Sequence, residues 1–366
     1  GATSPAVQGG RVYLASGDHG LYAVDAATGK PLWLFPTGDA SRSSPVLTGG
    51  MLFGGTKSGF LVAYDAATGA ERWRFDLGGY ITRSTPAIAD GTVFVAAGYV
   101  VYALEAETGR ERWRAPVRFA GSASPTVADG RLFAPTQEGN LSALDVATGK
   151  ELWRHDTDGL IFGSAAVGDG RLVYGDETGS VYTLDPATGR ELWRTRLDGE
   201  IDGSPAIVDG VVYTVTNAPS LTALDATTGK QRWRLDVGGA TSPAVQGGRV
   251  YLASGDHGLY AVDAATGKPQ WLFPTGDASR SSPVVAGDVV YLAAGRTLYA
   301  VSAADGKLVW SFPTAGDINA SPAVVDGSVY IGGHDGFLYA IGDEPETPTI
   351  DSPAPMSGEN GSRAVR

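Results

Sequence analysis

Apolar residues in this chain come in short runs, and the runs keep a fixed order. The first is Ser4-Pro5-Ala-Val7, the second Arg11-Val-Tyr-Leu-Ala15, the third Gly20-Leu-Tyr-Ala-Val24. Small, β-branched and aromatic residues mix in each, and Gly or Asp bounds them, which is the signature of a strand. A fourth run carries Trp33. The links are short: Gln8-Gly9-Gly10 or Ala89-Asp90-Gly91 after the first run, Gly17-Asp-His-Gly20 after the second. Links of that length join antiparallel neighbours. The pattern predicts units of four antiparallel strands, called A to D.

The units repeat. Trp33, Trp73, Trp113, Trp153, Trp193 and Trp233 are spaced by 40 residues, and Trp271 and Trp310 follow after 38 and 39. Four strands per unit of about 40 residues is a propeller blade. Before each tryptophan the same phrase returns, as in Asp25-Ala-Ala-Thr28-Gly29-Lys30-Pro-Leu-Trp33. Glu105 replaces the aspartate in the third copy, and Ser302-Ala-Ala-Asp305-Gly306 replaces the phrase in the eighth. Asp and Thr side chains fix a tight turn by binding nearby backbone N–H groups, and glycine supplies the left-handed exit. The tryptophan on the next strand is a structural anchor, burying roughly 150–250 Å². At about 25 cal/mol per Å² that is at most roughly 4–6 kcal/mol each.

The Ala-x-Asp-x-x-Thr-Gly-x-x-x-Trp phrase resembles the tryptophan-docking motif of the pyrroloquinoline-quinone (PQQ) propeller superfamily, over residues 1 to about 341. The resemblance implies the fold. For function it implies three branches: quinoprotein alcohol dehydrogenases, the propeller lipoprotein of the outer-membrane β-barrel assembly machinery, and extracytoplasmic sensor domains of bacterial Ser/Thr kinases. The second and third are closest in style, and they imply an extracytoplasmic, periplasmic or cell-surface, location.

Strand A starts nine times, near Pro5, Pro45, Pro86, Pro125, Ala165, Pro205, Pro243, Pro283 and Pro322, against eight tryptophan strands. The last unit, Asn319 to Ile341, has no strand D of its own. If the Trp33 strand completes it, residues 31–341 make an all-β, eight-bladed propeller and residues 1–30 are surplus. Nine blades is the alternative. Residues 1–46 match 239–284 at every position but Leu32 against Gln270, so 1–30 is a near copy of 239–268. Such a copy is recent or deliberate, which admits an engineered or recombined propeller. Residues 342–366 are Pro-rich, acidic and aperiodic, and are expected to form a disordered tail.

Net charge is −12 and only six of the 28 basic residues are lysine. Nucleic-acid binding needs a basic surface and is not expected. No apolar run is long enough to span a membrane. There is no cysteine, so no disulfide. The vicinal disulfide that the dehydrogenase branch implies cannot form. Asp156-Thr-Asp158-Gly begins like a calcium loop but has no glutamate at the required spacing. His19, His155, His257 and His334 belong to separate blades without ligand spacing and are expected at the surface rather than on a metal. No nucleophile-elbow motif is present. Neither a cofactor nor an enzymatic activity is expected.

The A–B and C–D turns, on one face, are monotonous. The D–A and B–C loops, on the other, differ from unit to unit, and variable loops are where single blades can carry a site. Three positions before strand A the ring reads Arg42, Arg83, Ser122, Phe162, Asp202, Ala240, Arg280 and Asn319. Two positions earlier stand Ile81, Leu160, Glu200 and Asp317, with Tyr80, Phe119 and Ile161 alongside. Arginines on one arc then face Glu200, Asp202 and Asp317 on another, with an apolar group between. That mouth suits a protein or peptide partner or a small polar ligand.

Overall fold

The computed structural model describes residues 3–15, 20–36, 43–79, 84–119, 123–237, 239, 241–255 and 258–342. These residues form nine antiparallel sheets, each with its strands in chain order. Blade one holds Ala6–Gln8, Arg11–Ala15, Gly20–Asp25 and Pro31–Pro36. Seven more four-stranded blades follow, and blade nine has three strands, Ala323–Val325, Ser328–Gly332 and Leu338–Ile341. The alternating runs thus become the strands that their pattern predicts.

The preferred count of eight blades is corrected to nine. The Pro31–Pro36 strand pairs with Gly20–Asp25 of its own unit, not with Leu338–Ile341. The reason is local. Asp25 accepts from Thr28 N–H and Oγ1 (2.8 and 2.7 Å), and Gly29 N–H donates to Asp25 O (2.9 Å), so the turn itself holds strand D beside strand C. Pairing with the last unit would close a loop of about 300 residues, at greater entropic cost.

Seven tryptophans, Trp33 to Trp271, join their blades to the next in one way. The indole Nε1 donates across the gap to a backbone carbonyl: Trp73 to Ala106 (2.9 Å), Trp113 to Val146 (2.9 Å), Trp193 to Ala226 (2.8 Å). The ring lies flat on the following turn glycine. A Cβ on Gly149 would fall 2.5 Å from Trp113 Cδ2, and one on Gly69 equally close to Trp33. Within its blade the ring packs beside a strand-B aromatic, as in Phe94–Trp113 with centroids 5.7 Å apart, except in blade five, where Val173 stands beside Trp193. Opposite every tryptophan on strand C is Ala23, Ala63, Ala103, Ala143, Thr183, Ala223, Ala261 or Ala300, all 0% exposed. The core is therefore a chain of inter-blade layers; one joins Phe94 and Trp113 of blade three to Leu132 and Leu144 of blade four.

Strand A is innermost, and a line of serines runs along the inner strands. Ser124 N–H donates to Ser164 Oγ (3.0 Å), Ser164 to Ser204 (2.9 Å), Ser204 to Ser242 (3.0 Å), Ser242 to Ser282 (3.2 Å) and Ser282 to Ser321 (3.1 Å). Blade nine meets blade one through their inner strands, and Tyr330 OH donates to Ala26 O at 3.2 Å.

Candidate interaction face

Backbone bonds define two faces. On one, the C–D turn docks on the A–B turn of its own blade, as Ala66 N–H on Gly50 O (2.9 Å) and Ala226 N–H on Gly210 O (3.0 Å). On the other, the B–C turn donates to the D–A loop: Gln137 N–H to Phe119 O (2.9 Å), Glu177 to Leu160 (2.9 Å), Asn217 to Glu200 (3.0 Å), His334 to Asp317 (2.9 Å). The variable loops predicted as the site do share one face, built on this repeated bond.

Arg42, Tyr80, Ile81, Arg83, Ser122 and Ala240 lie outside the described residues, as do His19, His257 and the tail from residue 343. The rest separate into three groups. Ile161 is fully buried and belongs to the core, not the mouth. Two acidic residues have local partners: Asp317 pairs with Arg296 at 3.1 Å, and Glu200 accepts from the Asn217 amide at 2.8 Å and keeps its charge. Asn319 meets His334 Nε2 at 3.3 Å. None of these carboxylates pairs with Arg280; short loops let each residue reach the nearest turn rather than the opposite arc. What remains uncommitted is Arg280, exposed, and Asp202 and Phe162, half-buried, with Phe119 stacked edge-on under exposed Tyr99 at 5.5 Å. Burial pushes the Asp202 carboxyl up, and neighbouring Glu200 adds to it. These groups stand on the variable loops of separate blades.

A cavity of about 410 Å³ opens on the inner strands of blades one to three, lined by Ala6, Val7, Gln8, Pro45, Val46, Leu47, Pro86 and Ile88. None of the described candidate residues lines it.

His155 is not a surface turn residue. It lies in the strand Glu151–Asp156, where Phe35, Phe75, Phe273 and Phe312 stand two residues after their tryptophans. Its Nδ1 meets Tyr174 OH at 2.7 Å and its Nε2 meets Glu191 at 3.0 Å. Partial burial pushes the Glu191 carboxyl up, but the bonds from Arg194 and His155 outweigh it and the net direction is down. Burial holds the Tyr174 hydroxyl well above its ordinary value. The sign of this network in the sequence is a histidine where four sister strands have phenylalanine. The serine line is equally visible in the sequence, as a Ser or Thr before each strand-A start.

Asp158 is committed to Arg194 at 2.7 Å, and among the described residues no group of three His, Cys, Asp or Glu side chains is placed to hold a metal.

The family model of the outer membrane protein assembly factor BamB matches residues 1–59, 57–176, 137–242 and 177–348. The chain belongs to the BamB family. Among solved structures, BamB from Moraxella catarrhalis is 20% identical, with 92% of this chain and 93% of that one covered and a TM-score of 0.62. The computationally designed Ika8 protein is 18% identical over 82% and 96%, with a TM-score of 0.68. The quinohemoprotein alcohol dehydrogenase of Comamonas testosteroni is 17% identical over 80% and 70%, with a TM-score of 0.59. At these identities the likenesses show the fold. No curated protein matches in sequence. The BamB family and these neighbours agree with the PQQ-like propeller superfamily suggested by the turn motif. Among the described residues no helix is long and apolar enough to cross a membrane.

Proposed function

We propose that this BamB-family propeller is a non-enzymatic scaffold that binds a protein partner outside the cytoplasm through its D–A and B–C loop face. The observation that carries this is the division of the two faces. One repeats a single turn around the ring; the other varies, leaves Asp202 and Arg280 without ion-pair partners among the described residues, and holds Phe119 and Phe162 half-buried. The family's assembly factors supply the class of role, and a net charge of −12 disfavours a nucleic acid as partner.

The test replaces Phe162 with Ala and Asp202 with Lys together, and measures partner recovery from the envelope of the host after in-cell cross-linking. Loss of one discrete adduct, with unchanged thermal unfolding, supports the proposal; an unchanged adduct pattern overturns it. The dehydrogenase-like neighbours give a second reading. Sustained alcohol-dependent dye reduction after addition of PQQ and calcium would replace the scaffold with an oxidoreductase.

A further inference from the structure

Among the described residues blade nine has three strands, and the surroundings of its Leu338–Ile341 edge match the place that a tryptophan strand fills elsewhere. Five features coincide. Ala340 pairs with Tyr330, as Ala23 pairs with Tyr13 beside Trp33. Ala340 is exposed, whereas its eight counterparts are 0% exposed. Tyr330 is the counterpart of Phe53, Phe94 and Tyr213, each of which packs on a tryptophan at 5.7–5.9 Å. Gly29, on the turn across the gap, has nothing within 4 Å of its Cβ position, whereas Gly69, Gly109, Gly149, Gly189, Gly229, Gly267 and Gly306 each have an indole there. Ala26 O, which Tyr330 OH reaches, corresponds to Ala66 O, which accepts from both Tyr13 OH (3.0 Å) and Trp33 Nε1 (3.2 Å).

A sixth feature concerns the residue after the tryptophan, which is arginine in five of the eight tryptophan strands (Arg74, Arg114, Arg154, Arg194 and Arg234) and serine opposite Tyr299. In blade three Tyr102 packs on Phe75 of the preceding blade at 5.6 Å, and Arg114 lies 5.4 Å over its ring. In blade five Arg194 lies 4.8 Å over Tyr182. In blade nine Tyr339 packs on Phe312 at 5.3 Å, and among the described residues no cation lies over it. Cation–π contact of this kind contributes to recognition.

We infer that the open edge of blade nine, formed by Leu338–Ile341 and the Gly29 turn of blade one, is a docking site for an extended Trp-Arg segment of a partner protein. The segment would add as a fourth strand, its backbone bonding the Leu338–Ile341 edge. Its indole would rest on Gly29 between the two blades, and its arginine would cover Tyr339. The chain's own residues 343–366 do not match this pattern: they contain no tryptophan, and Glu346 stands where the turn glycine would be. This site is separate from the loop face and does not depend on it.

The probe is a fluorescein-labelled peptide copying Gly69 to Asp76, Gly-Ala-Glu-Arg-Trp-Arg-Phe-Asp, titrated with the full chain and followed by anisotropy. Saturable binding is expected. Replacing the peptide tryptophan by alanine should weaken it at least tenfold, and replacing the second arginine should weaken it several-fold. Ala340→Arg, at an exposed position that leaves folding intact by circular dichroism, should weaken it at least tenfold. No saturable binding, or equal binding to the Ala340→Arg chain, overturns the inference. So does binding that appears only after deletion of residues 343–366, which would make the tail the occupant. Self-association on light scattering that Ala340→Arg abolishes would assign the edge to a second copy and overturn it likewise.

Discussion

At the scale of single residues, His155 shows how one substitution in a repeat changes the chemistry of a gap. Tyr174 OH is buried and bonded to His155. His155→Phe installs the aromatic that four sister blades carry but orphans that hydroxyl, so it should cost about 1–3 kcal/mol in urea unfolding. Adding Tyr174→Leu, which matches Leu14 of blade one, should recover most of the loss. The turn aspartates give a pH dependence. Bonds from Arg72, then from Thr68, hold the Asp65 carboxyl down to about 2, from an ordinary 3.8. A depressed acid contributes stability that is present above its unfolded value and lost as pH falls through the folded one. The melting temperature should therefore drop between pH 4 and 2, and Asp65→Asn should flatten part of that drop.

At the scale of the strand and turn, the tryptophan lock can be separated from backbone strain. Gly149 and Gly29 both have positive φ, +71° and +66°, so alanine is strained at either. Only at Gly149 would the methyl also strike an indole, at 2.5 Å. Gly149→Ala should cost about 2 kcal/mol or more, and Gly29→Ala about 1 kcal/mol, in equilibrium denaturation. Removing one serine from the inner line tests that element. Ser164→Ala leaves the Ser124 N–H without its acceptor and should cost about 1 kcal/mol. Most of this architecture was legible in the sequence. The Asp-Thr-Gly turn, the tryptophan anchor and the four strands are local, and local patterns can be read along the chain. The faces were legible too, because turn order fixes them. What was not legible was pairing on the loop face. Whether Asp317 meets Arg296 or a distant arginine depends on loop length and on which turn lies nearest. Ile161 was misplaced for a related reason: in a loop two residues from a strand, direction is set by packing rather than by period.

At the scale of the whole ring, blade number was decided by a competition that composition cannot rank. The units at 1–30 and at 319–341 could each accompany the Trp33 strand, and the covalent turn at Asp25–Gly29 favours the first. The seam between blades nine and one is then held by Tyr330 on Ala26 and by the inner strands. Hydrogen exchange should find Ala6–Gln8 and Leu338–Ile341 the least protected strands of their kinds. The functional account rests on the loop face, and site-specific photo-cross-linking in the host envelope tests it most directly. A photoreactive side chain is placed in turn at Phe162 on that face and at Thr188 on the exposed C–D turn of the opposite face. The scaffold account predicts one discrete protein adduct from Phe162 and none from Thr188. Adducts from Thr188 alone, or the same adducts from both, would contradict it.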